Sequence, residues 1–206
     1  PGAWAPTLAA LLITLITDGR AGVRALLRGL LKWRVGVGLY AFAILGMLGL
    51  ALLSVGLNVL LGGSVLEIEG VAARFGIPAE QAHLFIAFAP IIFIMTIFVG
   101  GPIAEELGWR GYAFDSLQSR YTLFTASLIF SVLWSLWHFP LIFVNDSYQY
   151  KIFNENIWFA VNFFISIIPM GVIITWICIK NRKSIIAAII FHFIINMSQE
   201  LLEITQ

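Results

Sequence analysis

The sequence predicts an all-α, polytopic transmembrane helix bundle with about six spanning helices plus a kinked motif helix. Three observations predict it. The 206 residues are 60% hydrophobic and only 11% charged, where a soluble domain has about 25% charged residues. The mean hydropathy is +0.95. The apolar residues also fall into runs of about 20, the length a helix needs to cross hydrocarbon. Residues 1–206 fit a single transmembrane domain. The chain begins at Pro1 without an initiator Met, so its true N-terminus is expected to be incomplete. No basic region precedes the first apolar run, as it would in a cleavable signal peptide. A net charge of +1 and the absence of a basic domain point away from nucleic acid, and one cysteine, Cys178, excludes an internal disulfide or a multi-cysteine metal site.

The spans are expected at 3–17, 36–61, 84–100, 122–144, 157–179 and 184–203, with a shorter helical stretch at 102–118. The 62–83 connection, with Gly62, Gly63, Glu67, Glu69, Gly70, Arg74 and Pro78, reads as an exposed loop with an interfacial helix. The 144–156 connection reads as a loop. Orientation follows from the cations. Arg20, Arg24, Arg28, Lys32 and Arg34 lie in 18–34, Arg120 in the turn before 122, and Lys180, Arg182 and Lys183 in 180–183, whereas 62–83 and 144–156 carry mainly acids. The positive-inside rule places 18–34, the 120 turn and 180–183 in the cytoplasm of a prokaryotic-type plasma membrane. The basic face at 20–34 suits either anionic lipid headgroups or simple topology determination. His83 reads as an interfacial residue and Cys178 as a packing residue near the cytoplasmic end.

Six polar groups stand out within these apolar stretches: Glu105, Glu106, Arg110, His138, His192 and Asn196. Carrying a charge into hydrocarbon costs roughly 2.5–3.5 kcal/mol on insertion scales, so each needs a partner, water or a function. Gly100-Gly101-Pro102 should break the chain just ahead of the glutamates, with Pro102 in the first turn of a new helix and both carboxylates near its N-terminus, where the dipole favours them. Glu106 and Arg110 are i,i+4 neighbours and read as a structural ion pair. Glu105 points about 100° away, free for another role.

Two further helices bring the rest. Trp134-Ser-Leu-Trp-His138-Phe-Pro140 puts an aromatic one turn before a histidine, with Pro140 expected to bend or end the helix. With the turn centred near Tyr121, Glu105 lies 16 residues before it and His138 17 after it. At about 1.5 Å per residue the two sit level in an antiparallel hairpin. His192 and Asn196 are another i,i+4 pair, starting roughly 13 Å in from the basic turn. A hydrogen-bonded packing pair is the plain alternative, but four polar groups on three helices at matching depth favour a shared site.

A glutamate, two histidines and an asparagine can activate water against an amide. Glu105 would take and return a proton, His138 would orient the water, and His192 and Asn196 would hold the oxyanion. The same Glu105, His138 and His192 could instead hold a divalent metal such as zinc. Residue types alone leave both schemes open. Other intramembrane protease chemistries fit less well: there is no His-Glu-x-x-His, no Gly-x-Ser-x-Gly ahead of a partner histidine, and no Asp within the spans for an aspartyl dyad.

These motifs resemble those of the CPBP intramembrane proteases, also called CAAX prenyl-protease-like or Abi proteins. Glu-Glu-x-x-x-Arg matches Glu105 to Arg110. An aromatic, usually Phe, three residues before His matches Trp134 and His138, with Trp in place of Phe. His-x-x-x-Asn or Asp matches His192 and Asn196. The resemblance covers about residues 85–200, which it marks as the catalytic core. It implies a membrane-embedded endopeptidase in which Glu105 and His138 activate water, His192 and Asn196 stabilise the oxyanion, and Glu106 and Arg110 give structural support. The family is labelled metalloprotease by some, while glutamate-dependent catalysis without a metal is also argued, so the cofactor is either a divalent ion or none. The implied partners are membrane lipid and a peptide or protein substrate entering from the membrane. Some members cleave prenylated tails, and others resemble bacteriocin-processing or immunity proteins. Two other readings stand beside this one: a non-catalytic immunity or scaffold protein, and a small-solute transporter binding at the buried polar site.

Overall fold

The structure, a computed structural model, describes residues 2–34, 36–63, 67–99 and 101–202. Every regular element among them is helical. In chain order they are α1 (Ala5–Arg28), α2 (Val37–Leu60), α3 (Ile68–Arg74), α4 (Leu84–Val99), α5 (Pro102–Gly108), α6 (Phe114–Gln118), α7 (Leu123–Trp137), α8 (Tyr148–Glu155), α9 (Ile157–Lys180) and α10 (Ile185–Leu202).

Among the described residues, four helical runs are long and apolar enough to cross a membrane: Tyr40–Leu60, Leu84–Gln118, Leu123–Phe143 and Ile157–Lys180. Ile185–Ser198 is a shorter apolar helix. The expected first span at 3–17 is helical but is not among the four. It belongs to α1, which runs on to Arg28 with a non-helical residue at Gly19. Exposed large side chains such as Leu45, Leu60, Phe124 and Trp158 line the outer faces, as expected of helices whose surroundings are lipid rather than water.

The connections differ from expectation in two places. The 144–156 segment is not a plain loop. Ser147 caps α8, its Oγ accepting the Tyr150 N–H at 3.0 Å, a local signal of the kind that starts helices. The 62–83 connection contains α3 as expected, and Val71 and Ala72 bury themselves against Ala82 and Phe85; its residues 64–66 lie outside the described residues. His83 is exposed just before α4.

The main core lies between α7, α9 and α10, where Phe130, Trp134, Ile174, Ile177, Ala188 and Phe191 pack with Cys178. Ser135 Oγ donates across the α7–α9 interface to the Phe164 carbonyl at 2.8 Å, an interhelical bond suited to an apolar setting. Helix α1 packs on α5. There Gly108 is as close to the α1 backbone as a residue can be: a Cβ would lie 2.3 Å from the Pro6 carbonyl carbon, and the Gly108 N–H donates to Thr7 Oγ1 at 3.1 Å.

The basic segments meet one another. Lys32 Nζ donates to the Arg182 carbonyl at 3.1 Å, and Lys183 pairs with Asp115 at 2.7 Å. Arg20, Arg24, Arg28, Lys32 and Arg34 are exposed.

Candidate active site

Helix α5 carries both glutamates because the chain turns sharply just before it. Gly101, the N-cap, has φ 109°, a backbone region that favours glycine, and Pro102 occupies the first turn. The Glu105 N–H closes that turn onto the Gly101 carbonyl at 2.7 Å. The break expected at Gly100-Gly101-Pro102 is therefore found at its last two members; Gly100 lies outside the described residues. The expected 102–118 helix is interrupted by a π-helical turn over Trp109–Ala113. Such bulges gather at functional sites, and this one carries Arg110.

Adjacent in sequence, the two carboxylates go to different helices. Glu105 Oε2 accepts the indole N–H of Trp134 on α7 at 2.8 Å. Glu106 Oε1 accepts from Arg110 Nη1 at 2.8 Å, an ion pair fully buried on both sides. The same oxygen lies 2.8 Å from His192 Nδ1 on α10. The structural ion pair expected from the i,i+4 spacing is present, but Glu106 is not occupied by Arg110 alone: it also fixes one face of His192. Nothing local in the sequence signals this bond, because its partners are 86 residues apart.

Arg110 is held on several sides. Its guanidinium carbon lies 4.4 Å from the Phe130 ring centroid and 4.5 Å from that of Trp134, within the range of cation–π attraction. Its Nη2 reaches the Gly171 carbonyl of α9 at 3.5 Å. One cation thus ties α5, α7, α9 and, through Glu106, α10 around the same point.

His138 ends α7 as its C-cap, and Pro140 lies in the 3₁₀ turn that follows, as its position predicts. Its Nδ1 is 2.8 Å from the Trp134 carbonyl. The hairpin register holds to within one helical turn: Trp134, four residues before His138, is the residue bonded to Glu105, and His138 lies within electrostatic reach of both Glu105 and His192. The ring centroid of Trp134 is 5.8 Å from that of His138 and 5.2 Å from that of His192, both edge-on. Asn196 follows His192 by one turn of α10 and is half-buried. Both glutamates are buried, Glu105 with 7% exposure and Glu106 with none.

The expected metal set of Glu105, His138 and His192 is not supported by this geometry. Glu105 Oε2 meets an indole, Nδ1 of His138 a carbonyl and Nδ1 of His192 Glu106, which leaves Oε1 and the two Nε2 atoms for the site. Among the described residues, no group of three or more His, Cys, Asp or Glu side chains is arranged to hold a metal ion.

Comparison with known proteins bears on the same stretch of chain. Residues 87–198, which carry all three motifs, match the family described as type II CAAX prenyl endopeptidase, Rce1-like. A CAAX prenyl protease 2 of Methanococcus maripaludis is 57% identical over 155 residues, 75% of this chain. The chain spans about half the length of that relative, 53%. With a helical bundle, the three motifs on three packed helices and a family match over more than half its length, the chain belongs to the Rce1-like type II CAAX prenyl endopeptidase family.

Proposed function

We propose that this chain is an intramembrane endopeptidase that cuts prenylated CAAX tails, with Glu105 and His138 activating water and His192 and Asn196 receiving the oxyanion. The observation that carries the proposal is the divergence of the two glutamates. Glu106 is fully buried and committed to Arg110 and His192, while Glu105 is bonded to Trp134, one turn before His138. A carboxylate already bound to an arginine and a histidine is poorly placed to take a proton from water, which leaves Glu105 as the base.

The chemistry follows from those positions. The oxygen of a water held by His138 attacks the carbonyl carbon of the scissile amide, and its proton passes to Glu105. The carbonyl oxygen takes the negative charge and is met by His192 and Asn196. Glu105 then returns the proton to the amide nitrogen as the carbon–nitrogen bond breaks, so the base ends as it began. Glu106 has a part here. It is paired with Arg110, and its carboxylate accepts the His192 Nδ1–H. That presents Nε2 to the substrate and balances the imidazolium, the form in which Nε2 can donate to the oxyanion.

The setting is a six-span bundle with α1 as its first member and the motif helix tucked inside. Segments 18–34 and 180–183, which contact each other, carry the excess of cations on the cytoplasmic side. The substrate enters laterally from lipid.

The test is cleavage of an internally quenched farnesyl-CAAX peptide by protein reconstituted in liposomes, with the unprenylated peptide as control. Wild type should cleave the farnesylated peptide, and Glu105→Gln, His138→Ala and His192→Ala should each fall by about 10²–10⁴-fold. If all four proteins cleave alike, the assignment of roles is wrong. If the two peptides are cleaved equally, the prenyl group is not recognised.

A further inference from the structure

Trp134 stands where the family pattern usually has Phe, and it touches Glu105, Arg110 and both histidines of the site. Its indole N–H donates to Glu105 Oε2 at 2.8 Å, and its carbonyl meets His138 Nδ1 at 2.8 Å. Its ring lies under the Arg110 guanidinium and against both imidazoles. The side chain is 4% exposed. A phenyl ring in its place could keep the ring contacts, and the carbonyl contact does not depend on the side chain at all. Only the bond to Glu105 requires an indole.

That bond settles how the carboxylate lies. With Oε2 held by α7, Oε1 is directed to the side of Gly101, where a Cβ would approach it to 2.8 Å. The carboxylate is thus bracketed by a donor on one side and by a residue without a side chain on the other. A buried indole N–H needs an acceptor, and a donor to a charged acceptor makes one of the stronger hydrogen bonds in a protein.

We infer that Trp134 is a positioning residue of this site: its indole N–H fixes Glu105 by Oε2 and leaves Oε1 as the oxygen that takes the proton from water. The inference rests on the proposed role of Glu105. It assigns this chain a device that members with Phe at the same place lack.

Two measurements test it, one of them independent of catalysis. In protein labelled with indole-¹⁵N tryptophan, the Trp134 N–H signal is identified by its loss in Trp134→Phe. It should lie at low field and move upfield in Glu105→Gln, where a neutral amide replaces the charged acceptor. A Trp134 signal indifferent to Glu105→Gln overturns the contact, whether or not the protein cleaves the chosen peptide. In the second, Trp134→Phe is compared with wild type on the farnesyl-CAAX peptide. It should lose about ten- to hundredfold in kcat with KM little changed. A loss that falls on KM instead, or one matched by a lower melting temperature alone, would reduce Trp134 to packing and overturn the inference. Wild type failing on the peptide would instead count against the proposed substrate, and the indole signal would still decide the fate of Trp134.

Discussion

Arg110→Met should destabilise the protein strongly, and adding Glu106→Gln should recover most of the loss. In the wild type, Arg110 Nη1 and Glu106 Oε1 are 2.8 Å apart with neither side chain exposed. Removing one member of such a pair leaves the other charge buried and costs about 3–5 kcal/mol. Two aromatic contacts of the guanidinium, with Phe130 and Trp134, are each worth about 0.5–2 kcal/mol, part of which the methionine recovers by packing against the same rings. For a chain of this length about 1 kcal/mol corresponds to about 2–4 °C, so Arg110→Met should melt about 6–20 °C below wild type. Glu106→Gln alone should also lose several degrees, because Arg110 keeps its rings and the Gly171 carbonyl but not its counter-charge. Replacing both members of a buried pair by neutral groups is often close to neutral, so the double variant should melt above either single one. The assay is built into the chain: Cys178 is its only cysteine and is 2% exposed, so a thiol-reactive fluorogenic maleimide reports unfolding directly. If the double variant shows the sum of the single losses, or Arg110→Met melts within about 2–4 °C of wild type, the pair does not hold the site together.

Three further outcomes follow from the packing around α5. Gly108→Ala should lower the melting temperature by an amount equivalent to about 1–3 kcal/mol, because the new Cβ meets backbone atoms of Pro6 and Thr7 that cannot step aside; an unchanged melting curve in the maleimide assay would mean that α1 does not pack there. Gly101→Ala should depress kcat on the farnesyl peptide by about a hundredfold, since it both strains a φ of 109° and pushes on Glu105 Oε1; a normal rate would show that the carboxylate has room to shift. Treatment with EDTA and phenanthroline, followed by their removal, should leave the rate unchanged if side chains alone activate the water, as proposed; a loss restored by zinc alone would refute that scheme.

The fold was legible where the physics is local or one-dimensional. Runs of apolar residues of membrane-spanning length mark most of the long helices, Pro102 marks the start of α5, and Pro140 the end of α7. Depth along an antiparallel hairpin needs only the rise per residue, which is why Glu105 and the Trp134–His138 turn could be brought level by counting. The first helix was harder. Its run stops at Asp18 and Arg20, where the helix is broken at Gly19 before a second stretch continues to Arg28, so composition marked the break but not the basic helix beyond it. The 144–156 connection is mainly polar, and polarity alone did not distinguish a short capped helix from a loop.

The site separates along the same line. The pairing of Glu106 with Arg110 was written in their spacing, but a spacing of four says nothing about which other helices converge on that turn. Glu106 therefore looked complete when it had a second partner, His192, on a helix far away in sequence. Glu105 looked free for want of a local partner, when its partner was already in view as the aromatic of the second motif. The clue was the replacement itself. A Trp at a buried aromatic position brings an N–H that usually finds an acceptor, and the hairpin arithmetic had already put a carboxylate at that depth. The departure from the family pattern, which reads in sequence as a mild substitution, is in the structure the group that orients the proposed base. It follows that the Glu-Glu motif is divided by its neighbours rather than by its own chemistry. Two identical side chains, one residue apart, become a structural anion and a candidate base because one meets an arginine and a histidine while the other meets an indole.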